Sequence, residues 1–205
     1  AEFADARELA HGQDDWSAVG SKVARLHTLD PAEISGRYPT PWCGTFPWWD
    51  FEALVSDVGP TLDTAARAGI DRALERHGGW AAEVDRPVLC HGDVHPGNVI
   101  QTETGPVLLD WDLLCTGPAA WDHAPLMTWA ERWGGDSGTY EAFADGYGRS
   151  MRGEPVAEAL AELRLLAATL MRVRAGRSDT AAAEEAERRL QYWRGAPDAP
   201  MWRAA

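Results

Sequence analysis

A segment in the middle of the chain, residues 87–112, constrains the fold more than any other. It contains two short apolar runs, and a carboxylate follows each of them, Asp93 after the first run and Asp110 at the end of the second. Asn98 lies five residues after Asp93, and the Thr-Glu-Thr-Gly sequence at 102–105 is typical of a hairpin turn. The segment therefore predicts a strand, a polar loop and a hairpin that carry three oxygen-bearing side chains.

Most of the remaining chain has the periodicity of amphipathic helices. Caps, prolines and glycines predict helices from 14 or 15 to 29, 50–58, 61–77, 119–133, from 137 or 139 to 151, 155–175 and from 178 or 179 to 193. The Pro-rich, aromatic segment 31–49 is expected to be irregular but packed, and the tail 195–205 to be loose. Short strands beside so many helices predict a fold that is mainly α with small β-hairpins, an α+β class.

Length and charge limit the classes of protein to consider. A chain of 205 residues can bury one good core, and its net charge of −13 disfavours nucleic acid as a partner. No apolar run reaches the roughly 18 residues that cross a bilayer, and no secretory signal is visible. Cys43, Cys90 and Cys115 have no paired spacing. Reduced thiols in a cytoplasmic protein are therefore expected.

Asp93, Asn98 and Asp110 are the polar groups that a phosphoryl-transfer site requires. The first aspartate orients or deprotonates an attacking hydroxyl, and the asparagine and second aspartate offer the oxygen ligands that Mg²⁺ prefers. A His-Gly-Asp sequence alone is more typical of a loop turn. The asparagine five residues later and the second aspartate at a strand end favour the catalytic interpretation.

Three nearby residues are predicted to support the site. His91 is expected to brace the loop by a hydrogen bond, and Asp122 to accept loop N–H groups. Asp112 either points into the same cleft or acts as a cap. The four-residue spacing of His91 and His95 is also that of a helical zinc pair, but Pro-Gly at 96–97 breaks any helix there and disfavours zinc.

The residues His-Gly-Asp-Val-His-Pro-Gly-Asn-Val at 91–99, Leu-Asp-Trp-Asp at 109–112 and Gly-Pro…Trp-Asp at 117–122 resemble the aminoglycoside phosphotransferase/choline kinase family. The Arg-Leu-His-Thr-Leu-Asp sequence at 25–30 also resembles this family, and the similarity extends over roughly 16–175. The resemblance implies a protein-kinase-like fold, ATP or GTP as phosphoryl donor with Mg²⁺, and transfer to a small-molecule hydroxyl.

By position, the resemblance implies that Asp93 is the catalytic aspartate and that Asn98 and Asp110 bind Mg²⁺. The family begins with a β-rich lobe that carries a strand lysine, whereas Lys22, the only lysine of this chain, lies in a predicted helix. Residues 1–205 are therefore interpreted as a single C-terminal lobe, with a catalytic core at 87–122, a helical annex at 119–193 and no N-terminal nucleotide lobe. This chain alone is expected to be inactive.

The acceptor and the partners stay open. An aminoglycoside-like molecule, a sugar or an amino alcohol would fit, and antibiotic resistance is one option. Glu131, Asp136, Glu141 and Asp145 would suit a cationic acceptor if they flank the site, although a solvated face is the more common explanation for such residues. An exposed apolar surface would favour a homodimer. The alternative function is a non-catalytic binding module that uses the exposed-looking aromatic cluster at 42–49, or an inactive fragment.

Overall fold

A computed structural model describes residues 7–8 and 13–203 of the chain. The helices are α1 Gln13–Leu26, α2 Pro31–Ser35, α3 Phe51–Val58, α4 Thr64–His77, α5 Ala120–Met127, α6 Trp129–Arg132, α7 Thr139–Tyr147, α8 Pro155–Ala175 and α9 Thr180–Trp193. The strands are β1 Arg7–Glu8, β2 Val88–Cys90, β3 Val99–Thr102, β4 Gly105–Leu108 and β5 Cys115–Gly117. The predicted fold class, mainly α with small hairpins, is confirmed.

The strands form two small antiparallel sheets around the predicted polar loop. In the first sheet β3 lies between β1 and β4, and the hairpin pairs Val99 with Leu108 and Thr102 with Gly105. In the second sheet β2 pairs with β5, so that Cys90 lies opposite Cys115. The sequence did not predict β5, because Cys-Thr-Gly is not an apolar run like the Val-Leu-Cys of β2. The two sheets hold both ends of the loop between β2 and β3.

Helix α8 is the centre of the helical part. It begins at Pro155 and ends at Ala175, as predicted, and its apolar stripe includes the fully buried Leu160, Leu166 and Leu170. It packs against α3, α4, α5 and α9. Among the described helices, none has the length and apolar character to cross a membrane.

Helices α1 and α7 pack with their backbones in direct contact. A Cβ atom on Gly20 would lie 2.0 Å from the carbonyl oxygen of Phe143, and one on Gly146 would lie 1.8 Å from that of Ser17. Only glycine therefore fits at either position. This close approach sets the end of α1 beside the end of α7, near the polar loop.

Four predicted helices differ in their bounds from the prediction, and one of them, α4, begins at Thr64 rather than at residue 61. Helix α1 ends at Leu26 rather than residue 29, and Asp30 begins α2 by accepting a hydrogen bond from the N–H of Ala32. The helix predicted over 119–133 divides at Thr128 into α5 and α6. Helix α7 ends before Gly148, whose φ of 100° stops it short of residue 151.

The aromatic segment 42–49 is less exposed than the sequence suggested. Trp49 is buried and packs edge-on against Trp121 at a ring-centroid distance of 4.6 Å, while Trp42 stacks on Trp80. The prediction of an irregular, packed segment over 31–49 holds for 42–49 but not for its first part, where α2 has no buried residue and Tyr38 is exposed. The interpretation of 42–49 as an exposed aromatic cluster is wrong. Indole rings this large bury more surface when several of them share one core.

The described part of the C-terminal tail is ordered against the helices rather than loose. Trp202 is buried, and its backbone N–H donates to the carbonyl oxygen of Arg132. The side chain of Arg189 donates to the carbonyl oxygen of Arg203, and the carboxylate of Glu185 accepts from the backbone N–H of Arg203. The prediction of a loose tail is therefore wrong up to Arg203.

Candidate active site

The loop between β2 and β3 has a backbone that only glycine permits. Gly92 has a φ of 96°, and a Cβ atom there would lie 2.0 Å from the carbonyl oxygen of Leu113. The carboxylate of Asp122, in the first turn of α5, accepts hydrogen bonds from the N–H groups of His91 and Gly92, both at 2.8 Å. The loop that carries Asp93 is thus attached to α5.

Asp122 is fully buried and also bound to α1 and α7 through a histidine. His27 Nε2 lies 3.1 Å from Asp122 Oδ2, and His27 Nδ1 lies 2.9 Å from the hydroxyl of Tyr147. Burial raises the pKa of Asp122, but the hydrogen bonds from His27 and Gly92 outweigh it, so the pKa lies below its ordinary value. Asp122 is therefore a carboxylate at neutral pH.

The two ring nitrogens of His91 join the loop that carries Asp93 to the end of the hairpin at Leu109. Nε2 donates to the carbonyl oxygen of Leu109 at 2.8 Å, which leaves Nδ1 to accept from the N–H of Asp93 at 3.3 Å. This bracing is of the kind expected for His91 from the sequence. Since both nitrogens have partners, His91 has none left for a metal ion shared with His95.

Three donors contact the side chain of Asp93 without locking it. His95 Nε2 and Asn98 Nδ2 each lie 3.3 Å from Asp93 Oδ2, and Arg164 Nη2 lies 3.4 Å from Oδ1. Burial raises the pKa of Asp93, but the hydrogen bond from His95 and the charge of Arg164 outweigh it, so the pKa lies below its ordinary value. Asp93 is ionised at neutral pH, and these long contacts leave it able to accept a further proton donor.

Asn98 comes directly before the hairpin of β3 and β4, and Asp110 comes two residues after it. The amide Nδ2 of Asn98 donates to the carbonyl oxygen of Asp93 at 3.0 Å, which leaves its Oδ1 as an acceptor, and the N–H of Leu109 donates to the carbonyl of Asn98 at 2.8 Å. Asp110 is exposed, and Asp112 is exposed two residues further on. One amide oxygen and one or two carboxylates form a hard donor set that fits Mg²⁺.

The backbone of Asp110 is strained. Among the residues that the structure describes, it is the one non-glycine residue with a positive φ, at 56°. Such conformations cost on the order of 1 kcal/mol and cluster at functional sites. The strain supports a functional role for the Asp110 carboxylate rather than a role in packing.

A cavity of about 480 Å³ opens beside Asp93. Asp93, His95 and Arg164 form its polar side, and the indole rings of Trp48, Trp129 and Trp133 line much of the rest. The volume lies in the range of pockets for small organic ligands, roughly 300–1,000 Å³. A small organic molecule therefore has room to bind beside Asp93.

Arg164 is the residue of the site that the sequence analysis missed. It projects from α8, its Nη2 donates to the carbonyl oxygen of Gly92, and its side chain is only 10% exposed. A signal was present in the sequence, because Arg164 follows Leu160 by four residues and precedes Ala167 by three, and both neighbours are buried. An arginine on a buried helical stripe requires a polar partner.

The structure also bears on the four acidic residues proposed for a cationic acceptor and on a possible metal site formed by histidines. None of Glu131, Asp136, Glu141 and Asp145 lines the cavity beside Asp93. Within the described residues, the side chains spaced for a metal ion are His27, Cys90 and Asp122. Two of these, His27 and Asp122, bond to each other, so hydrogen bonding already explains this cluster.

Comparison with known proteins identifies the family. The model of the phosphotransferase enzyme family, APH, matches residues 2–166, and the chain therefore belongs to this family. No curated protein matches the chain.

Solved structures have the same protein-kinase-like fold. Spectinomycin phosphotransferase APH(9)-Ia in complex with ADP and spectinomycin is 18% identical, with a TM-score of 0.60 over 88% of this chain and 61% of that one. Macrolide 2′-phosphotransferase MphH from Brachybacterium faecium is 21% identical, with a TM-score of 0.56 over the same shares of 88% and 61%. Ethanolamine kinase from Plasmodium vivax is 17% identical, with a TM-score of 0.67 over 94% and 63%. The chain thus spans about three fifths of the length of these proteins.

Proposed function

We propose that this chain is the catalytic lobe of an ATP- or GTP-dependent phosphotransferase that phosphorylates an alcohol group of a small molecule. One observation carries the proposal: an ionised carboxylate, Asp93, faces a cavity of small-molecule size, with Asn98 and Asp110 close by along the chain. Membership of the phosphotransferase enzyme family supports the same chemistry. The fold by itself does not support this chemistry, because one fold can serve in catalysis or in binding.

The proposed reaction is a transfer of the terminal phosphoryl group. Asp93 orients the acceptor hydroxyl and accepts its proton, a new bond forms between the hydroxyl oxygen and the γ-phosphorus, and the bond from that phosphorus to the bridging oxygen breaks. A nucleoside diphosphate leaves. Asn98 and Asp110 are the residues that would hold Mg²⁺, which neutralises negative charge on the phosphates when it is bound.

The supporting residues act through the loop in this proposal. Asp122 and His91 hold the backbone around Asp93, so the carboxylate keeps its direction toward the cavity. Asp112, exposed beside Asp110, adds negative charge next to the proposed metal ligands. A residue that only positions another is expected to change turnover more than it changes the affinity for nucleotide.

The donor, the acceptor and the location are also parts of the proposal. The spectinomycin phosphotransferase holds ADP, which supports a nucleotide donor. An aminoglycoside-like molecule, a sugar and an amino alcohol are the acceptors that the sequence left open. Antibiotic resistance and phosphorylation of a metabolite are both compatible roles. The unpaired Cys43, Cys90 and Cys115 support a reducing, cytoplasmic location.

The test replaces Asp93 in the full gene-encoded protein. Asp93→Asn keeps the shape of the side chain but removes the proton acceptor, so kcat for Mg²⁺-dependent transfer from ATP or GTP should fall by about a hundredfold or more. The KM for nucleotide should change little. Asp85→Asn, an exposed change outside the site, is the matched control. Turnover of Asp93→Asn at the level of the control would contradict the proposed role.

A second measurement separates the enzyme from a binding module or an inactive fragment. Calorimetry on this chain should detect nucleotide binding that requires Mg²⁺ and weakens in Asp110→Asn. Nucleotide binding without any effect of Mg²⁺ or of Asp110→Asn would favour the non-catalytic module. Negligible turnover by the isolated chain remains a prediction, and robust Mg²⁺-dependent hydrolysis or transfer by it would contradict that prediction.

A further inference from the structure

The charged residues that line the cavity beside Asp93 do not favour the binding of a cationic molecule such as an aminoglycoside. Among the described residues that line it, Asp93 is the one carboxylate, and Arg164 and His95 already contact its two oxygens. The acidic residues that would have suited a cation do not line this cavity: Glu131 lines a neighbouring one beyond Thr128 and Leu165, and Glu141 pairs with Arg152. An ammonium group that entered the cavity would lose water without gaining an unpaired carboxylate.

Two of the three indole rings that line the cavity already have a protein cation over one face. The guanidinium carbon of Arg164 lies 5.5 Å from the ring centroid of Trp48, and that of Arg189 lies 4.8 Å from the ring centroid of Trp133. A second cation would gain less from these rings and would be repelled by Arg164 in a cavity of low polarity.

The same groups favour an apolar body and an oxygen acceptor. Trp129 and Trp133 are stacked, with planes 17° apart, and Leu165 and Met171 extend this apolar wall. Arg164 uses Nη2 for Gly92 and Asp93, and its Nε and Nη1 donate no hydrogen bond to another residue between 13 and 203. These remaining N–H groups are available to an oxygen of a bound molecule.

We infer that the acceptor is an alcohol with an apolar, ring-containing body and no cationic centre, and that Arg164 binds a neutral or anionic oxygen of it beside the reacting hydroxyl. This inference rests on the proposed function for the identity of the cavity as the acceptor site. It narrows the acceptors left open by the sequence, because it excludes aminoglycosides and amino alcohols. Arg164 and the paired indoles Trp129 and Trp133 become the specificity-determining residues.

Three matched probes test the charge preference directly. The probes share a benzyl alcohol body and differ at the para position: a carboxylate, a hydroxymethyl group or an aminomethyl group. Saturation-transfer NMR at millimolar concentrations should detect the anionic and neutral probes in the cavity, and competition should place the cationic probe about tenfold weaker or more. Kanamycin should not displace the neutral probe.

Two variants locate the binding and its charge selectivity. Trp129→Ala removes part of the cavity wall, so all three probes should weaken by about tenfold, which corresponds to about 1.4 kcal/mol. Arg164→Gln should abolish the preference for the anionic over the cationic probe while the neutral probe still binds. Because Arg164 also holds Gly92, its fold is checked by circular dichroism. If it does not fold, the wild-type ranking and Trp129→Ala decide the question.

The outcomes separate this inference from the proposed function. Tighter binding of the cationic probe or of kanamycin, or no binding of any probe, would overturn the inference. Phosphoryl transfer to kanamycin would keep the proposed function and overturn the inference. The predicted ranking together with no phosphoryl transfer to any alcohol would keep the inferred selectivity of the cavity and contradict the proposed function.

Discussion

At the scale of single residues, one buried carboxylate organises the loop that carries Asp93. Asp122 accepts two backbone N–H groups and faces His27, so it joins α1, α5 and the loop through charge-assisted hydrogen bonds. Its burial makes these bonds necessary, since an ionised group without them would be strongly destabilising. The same residue therefore supports stability and the geometry of the site.

Asp122→Asn is expected to lower the free energy of unfolding by about 3 kcal/mol. The amide NH₂ group would face the donors that the carboxylate now accepts from, so at least one of these buried N–H groups would lose its acceptor. Urea denaturation followed by circular dichroism measures the change. Asp85→Asn, which is exposed, should stay within about 0.5 kcal/mol of the wild type. Equal midpoints for the two variants would show that the buried network contributes little.

At the scale of secondary-structure elements, aspartate caps begin several helices. Asp50 accepts from the N–H of Ala53 at the start of α3, Asp63 from Ala65 and Ala66 at the start of α4, and Asp179 from Ala181 and Ala182 at the start of α9. The cap at Asp50 was predicted as it is observed, and Asp179 was one of two candidates. A side chain that caps acts on its own helix, which is why local sequence reveals it.

Asp179→Ala should destabilise the protein by about 1 kcal/mol, because two N–H groups at the start of α9 lose their acceptor. Thermal and urea unfolding measure this loss. Glu184→Ala, an exposed change in the same helix, is the control and should remain within about 0.5 kcal/mol of the wild type. A loss for Glu184→Ala as large as that for Asp179→Ala would argue against the capping explanation.

At the scale of the whole molecule, buried titratable groups set the dependence of stability on pH. Burial lowers the pKa of His123 to about 3, so this histidine is neutral in the folded protein while the unfolded chain protonates it at its ordinary pKa of 6.5. The unfolded state then binds more protons below pH 6.5, and stability falls as the pH falls. Asp93 and Asp122, whose pKa values are lowered, add a further loss near and below their ordinary value of 3.8.

The free energy of unfolding should therefore decrease from pH 7 to pH 4, with His123 contributing at most about 1.4 kcal/mol per pH unit. Urea unfolding at several pH values tests this slope. His123→Gln removes the titrating ring, so its slope between pH 6.5 and 4 should be clearly shallower than that of the wild type. Two parallel curves would mean that His123 titrates alike in the folded and unfolded states.

Local sequence alone determined a large part of this fold. The bounds of β2 and α8, the hairpin turn before Gly105 and the fold class follow from periodicity, caps and turn residues, all of which act within a few neighbours. The contact between Asn98 and Asp93 was also accessible, because they are five residues apart in one loop, whereas the convergence of Asp110 with them stays a prediction.

Only the tertiary structure decided what surrounds Asp93. Arg164 reaches it across 71 residues, and β5 pairs with β2 only because the chain returns there after the hairpin. The position of Arg164 on a buried helical stripe was visible in the sequence, but its place over Trp48 and the apolar cavity beside Asp93 were not. Its shape and charge depend on how separate helices pack, and contacts of that kind depend on the free energy of the whole fold rather than on neighbouring residues.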